Sequence, residues 1–340
     1  MKKLFKLLIL TILCSKLYAQ DPHFSQFFSS PLTLNPAFTG KFDGAVRFSG
    51  NYRNQWPSIN NAFITTTGSV DFHVGKKIIP NNDNWGVGAV FLSDNSAGGA
   101  VNYNYFSLST AYHKGLDEDG FHQLSGGVQL TYANMYINTN VLNFEDQLHA
   151  DGFSGTTNEL LSGSNLSTNY LDLNAGLLYS GSTNDRNNFY GGVSVYHINK
   201  PTQKFSGSKD TSGGYSLNPR ATIHAGTYFA VGPAATLHFS GIQTFQGGAS
   251  ETVIGGAIQF ITNPEAETKQ TSLYLGSWIR LKDAIIPYLG LEYNDVRLGI
   301  TYDVNTSALK TASNGNGGIE ISAMYIYRPS TDKPINCPKF

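Results

Sequence analysis

Charged residues, cysteines and long hydrophobic runs are all scarce in this 340-residue chain. Only 14 % of the residues are charged, against about 25 % in a typical soluble domain. The two cysteines are Cys14 and Cys337, and removal of an N-terminal export signal leaves Cys337 alone. Because one cysteine cannot form an intrachain disulfide, the sequence excludes the disulfide-stapled scaffold of many exported domains.

The first nineteen residues have the pattern of a secretory signal peptide. Lysines precede a short apolar run at 7–13, and Ala19 supplies a small residue for cleavage. The run is shorter than the roughly twenty residues that a membrane-spanning helix needs. We therefore predict a signal peptide over 1–19, a mature chain from Gln20 and export from the cytoplasm.

The charge balance bears on possible partners. The whole chain has a net charge of −1, and loss of the four lysines in residues 1–19 changes this to about −5. A nucleic-acid partner requires a basic surface, which this composition does not supply. We expect no nucleic-acid binding.

What the chain does contain is glycine and aromatic residues in an unusual mixture. It has 36 Gly, 19 Tyr and 21 Phe, yet its apolar fraction of 40 % is below the usual 45–50 %. A transmembrane β-barrel has this composition, since alternate residues face lipid, the lumen is polar and aromatic residues mark the two interfaces. A soluble sandwich or lipocalin-like barrel also alternates, but it does not explain the low charge.

The barrel interpretation depends on a side-chain period of two. Every second residue from Val296 to Val304 is apolar, while Arg297 and Asp303 fall on the other face. A charge facing lipid in mid-membrane costs a few kcal/mol, so we expect the charged face to line the lumen.

Fourteen segments have this pattern, and they predict an antiparallel up-and-down barrel in the outer membrane. They are 45–56, 61–75, 84–96, 101–114, 122–138, 168–181, 188–201, 220–231, 235–246, 251–263, 271–282, 284–294, 296–306 and 318–328. The longest gaps, at 139–167, 202–219 and 307–317, all follow odd-numbered strands. With periplasmic termini, these gaps become the long outer loops that such barrels have.

The pattern divides the chain into four parts. They are the signal peptide 1–19, an irregular periplasmic segment or plug at 20–44, the barrel at 45–329 and a periplasmic tail at 330–340. The segment contains apolar residues, including Phe24, Phe27, Phe28 and Phe38, in numbers too large to leave in water. Three prolines keep it irregular, so we expect it to fold into the periplasmic mouth of the barrel.

The sequence offers little sign of catalysis or of a cofactor. The metal motifs H-E-x-x-H and C-x-x-C are absent, and so is the G-x-S-x-G elbow. We interpret His197, His224 and His238 as polar residues of the lumen or of the membrane interface, with an outer-membrane hydrolase as the alternative. The acidic turn at 117–119 supplies too few oxygen ligands for Ca²⁺. We predict a non-enzymatic protein without cofactor or metal.

Two further stretches exceed what a barrel wall requires. Arg53 is a fixed charge at the end of the first strand, Gln55 shares its face, and Trp56 is placed to anchor at the outer interface. These residues are either lumen and girdle positions or a binding site. The tail contains Cys337 and ends at Phe340, and we interpret it as part of a plug.

Taken together, these stretches resemble the PorP/SprF family of type IX secretion system membrane proteins from Bacteroidetes-type bacteria. The resemblance is carried by DPHFSQ at 21–26, LNPAFTG at 34–40, YRNQW at 52–56, LNFEDQ at 142–147, YHI at 196–198 with Pro201, YDVN at 302–305, GIEIS at 318–322 and CPKF at 337–340. Each is weak alone, but their order and spacing are specific.

The resemblance implies a protein that helps a secreted adhesin with a C-terminal sorting domain to reach or stay on the cell surface, as in gliding relatives. It also implies a link to the periplasmic ring lipoprotein or other secretion subunits. The alternative that the barrel pattern itself leaves open is a porin or a channel for small or apolar solutes. We take as candidate plug or partner-binding residues Phe24, Gln26, Phe27, Phe28, Asn35, Pro36, Phe38, Arg53, Gln55, Trp56, Cys337 and Phe340.

Overall fold

The chain folds around one long antiparallel sheet. The computed structural model describes residues 21–59, 62–75, 78–80, 82–118, 120–158, 166–184, 186–205, 214–264 and 271–329. The predicted signal peptide and the predicted tail with Cys337 and Phe340 therefore lie outside the described residues.

Fourteen strands form a closed barrel in which each strand pairs with its neighbours along the chain. They are β1 Val46–Gln55, β2 Phe63–Val74, β3 Asn84–Ser96, β4 Val101–Gly115, β5 His122–Ile137, β6 Leu166–Asn184, β7 Asn187–Tyr196, β8 Arg220–Ala230, β9 Ala235–Gln246, β10 Ala249–Ile261, β11 Thr271–Arg280, β12 Ala284–Tyr293, β13 Val296–Asn305 and β14 Asn316–Tyr327. The pairing of β1 with β14, with Val46 opposite Tyr327, closes the sheet and removes its edges.

The predicted fold class and strand count are confirmed, and the differences are confined to strand ends. The segment predicted at 188–201 ends at Tyr196 because His197 has a φ of 58° and Lys200 a φ of 46°. Neither residue is glycine, and these left-handed conformations turn the chain out of the sheet. Strand β6 extends beyond the predicted 168–181 at both ends, since its register with β5 continues to Leu166.

The connections differ between the two ends of the barrel. The longest ones follow Ile137, Tyr196 and Asn305, and the strand ends that they join all lie at one end, which we call the long-loop end. The opposite end, where β2 joins β3 and where β14 finishes, is called the short-turn end. Small two-stranded hairpins, Leu148–His149 with Gly152–Phe153 and Thr202–Gln203 with Tyr215–Ser216, lie in two of the long connections.

Side chains alternate between the two faces of the wall as the sequence predicted. In β13, Leu298 and Ile300 are exposed on the outside, whereas Thr301 and Asp303 are buried inside. Aromatic residues are exposed on the exterior near the short-turn end, Trp85 and Tyr112 among them. An apolar exterior with aromatic residues near its rim is the surface that a bilayer requires of a barrel.

Helical structure in the described ranges is limited to turns of three or four residues. They are Phe27–Ser29, Pro31–Leu34, Pro36–Phe38, Ala97–Gly99, Thr139–Val141, Glu145–Gln147 and Lys310–Ser313. None of the helices in the described part of the chain has the length and apolarity to cross a membrane.

Candidate functional site

Residues 21–44 run through the lumen from the long-loop end to the short-turn end. Asp21 contacts Gln246, at the long-loop end of β9, while the amide of Gly40 bonds to Asp71, near the short-turn end of β2. Between these points the chain makes three short helical turns, two of which begin at a proline. The sequence predicted this segment in the periplasmic mouth, but it extends along the whole lumen to Asp21 at the long-loop end, because polar wall residues bond it at successive levels.

Asp21 is bound at the long-loop end by a cluster of polar side chains. Its carboxylate lies 2.7 Å from Nε2 of His197 and 3.4 Å from Nη1 of Arg220, and it accepts a hydrogen bond from Gln246. Burial opposes ionisation of Asp21, but Arg220 and His197 outweigh it and hold the pKa of Asp21 well below its usual value. Asp21 is therefore charged across the physiological range.

His197, directly after β7, lies between two carboxylates. Its Nδ1 is 3.0 Å from Oδ2 of Asp172, and its Nε2 faces Asp21. Burial disfavours the imidazolium, but the two carboxylates outweigh burial and raise the pKa of His197 to about 9. The charged imidazolium ties the segment to the wall at this level.

Ser25 and Gln26 are held by β14 and its neighbours. The backbone amides of Ser25 and Gln26 donate to the carboxylate of Glu320, at 2.7 and 3.1 Å. The Gln26 side chain donates to the Glu320 carbonyl and accepts from Ser322. Glu320 is 1 % exposed, so this carboxylate caps two backbone amides that would otherwise be unpaired in the lumen.

Two arginines also bind the segment near Ser25. Arg53 donates to Asp303 at 3.1 Å and to the carbonyl of His23 at 2.6 Å. Arg280 donates to Asp303 at 2.9 Å and to the Ser25 hydroxyl at 2.7 Å. Each arginine thus joins a wall carboxylate to the segment, and the buried charges are neutralised in place.

Apolar residues fill the space beside these polar contacts. Phe28 packs its ring 4.7 Å from that of Trp278 and 5.4 Å from that of Tyr288, measured between centroids. Phe27 belongs to the same buried cluster. Phe38 packs against Tyr190 on another side of the lumen. These aromatic contacts bury side chains that water would otherwise surround.

Asn35 fixes the middle of the segment. Its Nδ2 donates to the carbonyls of Leu177 and Val193 at 3.1 and 3.2 Å and lies 2.9 Å from Nε2 of His224. Its Oδ1 accepts from the Ala37 amide at 2.8 Å. Asn35 is fully buried, so the N–H groups of its amide and its Oδ1 find their partners inside the barrel.

A buried ion pair holds the segment near the short-turn end. Arg47 donates to Asp71 through Nε at 3.0 Å and Nη2 at 2.8 Å, and it also donates to the carbonyls of Phe38 and Lys41. Asp71 in turn accepts from the Gly40 amide at 2.7 Å. The ion pair stabilises both the wall and the segment, since Arg47 and Asp71 also form hydrogen bonds with the backbone of the segment.

Glycines in the wall leave room for the segment. A Cβ at Gly176 would lie 1.8 Å from Oδ1 of Asn35, and one at Gly127 would lie 2.5 Å from the Ala37 nitrogen. A Cβ at Gly86 would lie 2.3 Å from the carbonyl oxygen of Thr39. The wall is therefore shaped to the path of this segment by the absence of side chains.

A cavity of about 430 Å³ remains at the long-loop end, above Asp21. Gln55 and Trp56 line it, together with aromatic residues such as Phe63 and Tyr103. We call it the mouth cavity. Among the described residues, no group of histidine, cysteine or carboxylate side chains is placed to hold a metal ion.

Most of the sequence matches one family model. The model describes the type IX secretion system membrane protein PorP/SprF, and it matches residues 16–325. The chain belongs to the PorP/SprF family. Family membership and the closed barrel together place this PorP/SprF protein in the outer membrane, since closed barrels span that membrane. No curated protein matches its sequence.

Several solved structures share the barrel shape with this PorP/SprF protein at low sequence identity. A FadL homologue from Pseudomonas aeruginosa is 10 % identical, with 88 % of this chain and 94 % of that chain covered and a TM-score of 0.49. The toluene transporter TodX from Pseudomonas putida is 10 % identical, with coverages of 90 % and 94 % and a TM-score of 0.49. The translocator domain of the autotransporter NalP from Neisseria meningitidis is 11 % identical, with coverages of 84 % and 88 % and a TM-score of 0.43. These similarities concern shape alone.

The structure brings most of the predicted site residues of the PorP/SprF protein into the lumen. Phe24, Gln26, Phe27, Asn35, Pro36 and Phe38 are buried against the wall, Phe28 is partly buried, and Arg53 joins them. Gln55 and Trp56 line the mouth cavity instead. Their roles as plug or partner-binding residues stay predictions, as do those of Cys337 and Phe340.

Sequence reasoning missed the wall residues that hold the segment. Arg47, Asp71, Arg280 and Glu320 were not among the candidates, although each lies on the charged face of a predicted strand. Charges on an otherwise small and polar lumen face could have singled them out. The partners of these residues could not be predicted from the sequence, because contacting residues such as Arg280 and Ser25 are 255 positions apart in the chain.

Proposed function

We propose that this protein is a non-enzymatic component of the type IX secretion system that supports export or surface attachment of a secreted adhesin with a C-terminal sorting domain. Membership of the PorP/SprF family carries the proposal, because the family model describes a type IX secretion membrane protein. The proposed partners are the cargo or its sorting domain and the periplasmic ring lipoprotein or another subunit of the system.

The filled lumen supports a binding role over passage of cargo through the barrel. Contacts from Asp21 to Lys41 attach the segment to the wall at several levels, and many of them are buried. Removing one member of a buried ion pair or hydrogen bond costs a few kcal/mol. A partner therefore meets the loops, the mouths and the outside of the barrel more easily than the lumen.

Gene deletion in the native bacterium tests the proposal. We expect loss of a co-encoded adhesin from the cell surface, measured by antibody labelling of intact cells, with total adhesin in the cell and medium as the control. Complementation with the wild-type gene restores surface labelling. Unchanged surface delivery of the adhesin after deletion would contradict the proposal.

The mouth cavity favours a second candidate, a channel for small or apolar solutes. The cavity is lined by aromatic side chains, and it lies at one end of the barrel axis. Planar-bilayer recordings of the purified barrel separate the two functions. Steady ion-sized currents would support the channel, whereas a silent barrel is expected of a lumen occupied by residues 21–44.

A further inference from the structure

The mouth cavity has two aromatic sides. On one side the rings of Trp56 and Phe63 meet edge to face, with centroids 5.7 Å apart. On another side Tyr103 and Tyr105 lie 5.9 Å apart. Its volume of about 430 Å³ suits a side chain with a few residues of extended backbone, but it is too small for a folded element.

The carboxylate of Asp94 also lines this cavity. Asp94 is 5 % exposed, and it accepts a hydrogen bond from the hydroxyl of Thr65. No lysine or arginine among the described residues forms an ion pair with Asp94. The nearby Arg53 is committed to Asp303 and to the carbonyl of His23.

The other carboxylate of the cavity is already neutralised. Asp21 faces Arg220 and His197, so its charge is balanced within the cluster below the cavity. Asp94 therefore places beside aromatic faces a carboxylate that Arg53 and His23 offset only at a distance, since no described lysine or arginine forms an ion pair with it. Burying an unpaired carboxylate costs free energy that a cation in the cavity would recover.

We infer that the mouth cavity binds a lysine or arginine side chain presented by an extended segment of a partner protein. The inference rests on the proposed function for the nature of the partner, but the chemistry of the cavity is independent of it. A cation over aromatic rings is stabilised by their quadrupoles, and its N–H groups donate to the carboxylate. Arginine fits both demands best, since its planar fork also stacks on aromatic faces.

A neutral ligand would not neutralise the charge of Asp94. A sugar would use the aromatic faces and the amides, but it would leave the carboxylate without a counter-charge. The test therefore compares ligands that share a shape and differ in charge.

The experiment uses the purified full-length barrel in detergent and two short peptides. One is acetyl-Gly-Ser-Arg-Ser-Gly-amide, and the other has citrulline in place of arginine, which keeps the shape and removes the charge. Isothermal titration is expected to give an affinity at least about tenfold higher for the arginine peptide. Asp94→Asn is expected to abolish that preference, whereas Asp146→Asn, an exposed carboxylate in a loop at the same end, leaves it unchanged.

A second variant keeps the test decisive should Asp94→Asn fail to fold. Phe63→Leu removes an aromatic ring at the rim while keeping an apolar side chain, and it is expected to weaken the arginine peptide more than the citrulline peptide. Equal affinity for the two peptides, no binding of either, or displacement of the arginine peptide by a neutral disaccharide would overturn the inference.

The outcomes are separable from those of the proposed function. Preferential arginine binding in a protein whose deletion leaves adhesin delivery unchanged would retain the inference and reject the proposed function. Loss of adhesin delivery on deletion, together with equal binding of the two peptides, would retain the proposed function and reject the inference.

Discussion

Gly176→Ala should release the N-terminal segment from the middle of the lumen. The added Cβ would lie 1.8 Å from Oδ1, 2.7 Å from Cγ and 3.2 Å from Nδ2 of Asn35. Carbon atoms in contact prefer separations of about 3.5–4.0 Å, so the Asn35 amide has to move by at least about 1 Å. The backbone of β6 is not free to yield, because it is paired with β5 and β7.

The cost follows from the contacts that Asn35 makes. Displacing the amide breaks contacts with Leu177, Val193, His224 and Ala37. The two N–H groups of the amide and its Oδ1 account for three hydrogen bonds, so at about 1 kcal/mol each the attachment of the segment weakens by about 3 kcal/mol. That free energy corresponds to a roughly 100-fold rise in the population with the segment locally detached.

Amide hydrogen exchange measured by mass spectrometry reads out that population. Peptides from residues 27–38 of the variant barrel should exchange faster by this factor, while peptides from the strands keep their protection. Faster chymotryptic cleavage at Phe38 gives an independent reading.

Two comparisons make the result interpretable. Gly68→Ala adds the same methyl group where nothing lies within 4 Å, so it should leave exchange unchanged. In an Asn35→Ala background, the atoms that the new methyl group would meet are gone, and Gly176→Ala should then add little. Unaltered protection in Gly176→Ala, or equal effects in both backgrounds, would refute the packing argument.

Three other perturbations test the remaining contacts and the orientation. Asp71→Asn leaves a buried guanidinium without its counter-charge and should lower the free energy of unfolding by about 3–5 kcal/mol, measured by urea unfolding in lipid vesicles. Because the pKa of His197 is raised from 6.5 to about 9, its contact with the carboxylates contributes stability below pH 6.5 that is lost as pH rises through 9, and His197→Gln should remove this dependence in thermal unfolding scans. A cysteine at Val141, at the long-loop end, should react with a membrane-impermeant maleimide on intact cells, whereas one at Val231, at the short-turn end, should not.

Each of these tests has its own control. Asp295→Asn breaks a half-exposed pair with Arg328 and should cost less than about 1 kcal/mol, so equal losses in Asp71→Asn and Asp295→Asn would contradict the role of burial. An unchanged pH slope in His197→Gln would mean that another group titrates in that range. The labelling requires Cys337→Ser, and a reaction pattern opposite to the expected one would reverse the barrel in the membrane.

The wall of the barrel could be predicted from the sequence to within a few residues at most strand ends. Period-two alternation is a local property, since adjacent side chains of a strand point to opposite faces whatever the rest of the chain does. Strand β7 departs from its predicted end for an equally local reason, the left-handed conformation of His197, which its residue type does not announce.

The path of the N-terminal segment, in contrast to the wall, depends on contacts between distant parts of the chain. The composition of the segment predicted an irregular and buried stretch in the periplasmic mouth, but not its path along the lumen, because Phe24 or Phe38 is equally apolar against any wall. What fixes its path are contacts such as Ser25 with Glu320 and Asn35 with His224, which join residues 295 and 189 positions apart.

The sequence by itself determined a closed barrel with a polar lumen and an aromatic-rich exterior, since composition and alternation act residue by residue. Only the tertiary structure decided that residues 21–44 cross the lumen from end to end and that Asp94 lies beside aromatic rings with no ion pair to a described lysine or arginine. Both depend on which inward-facing side chains meet across the barrel. That is set by strand register and closure, which bring distant parts of the chain together.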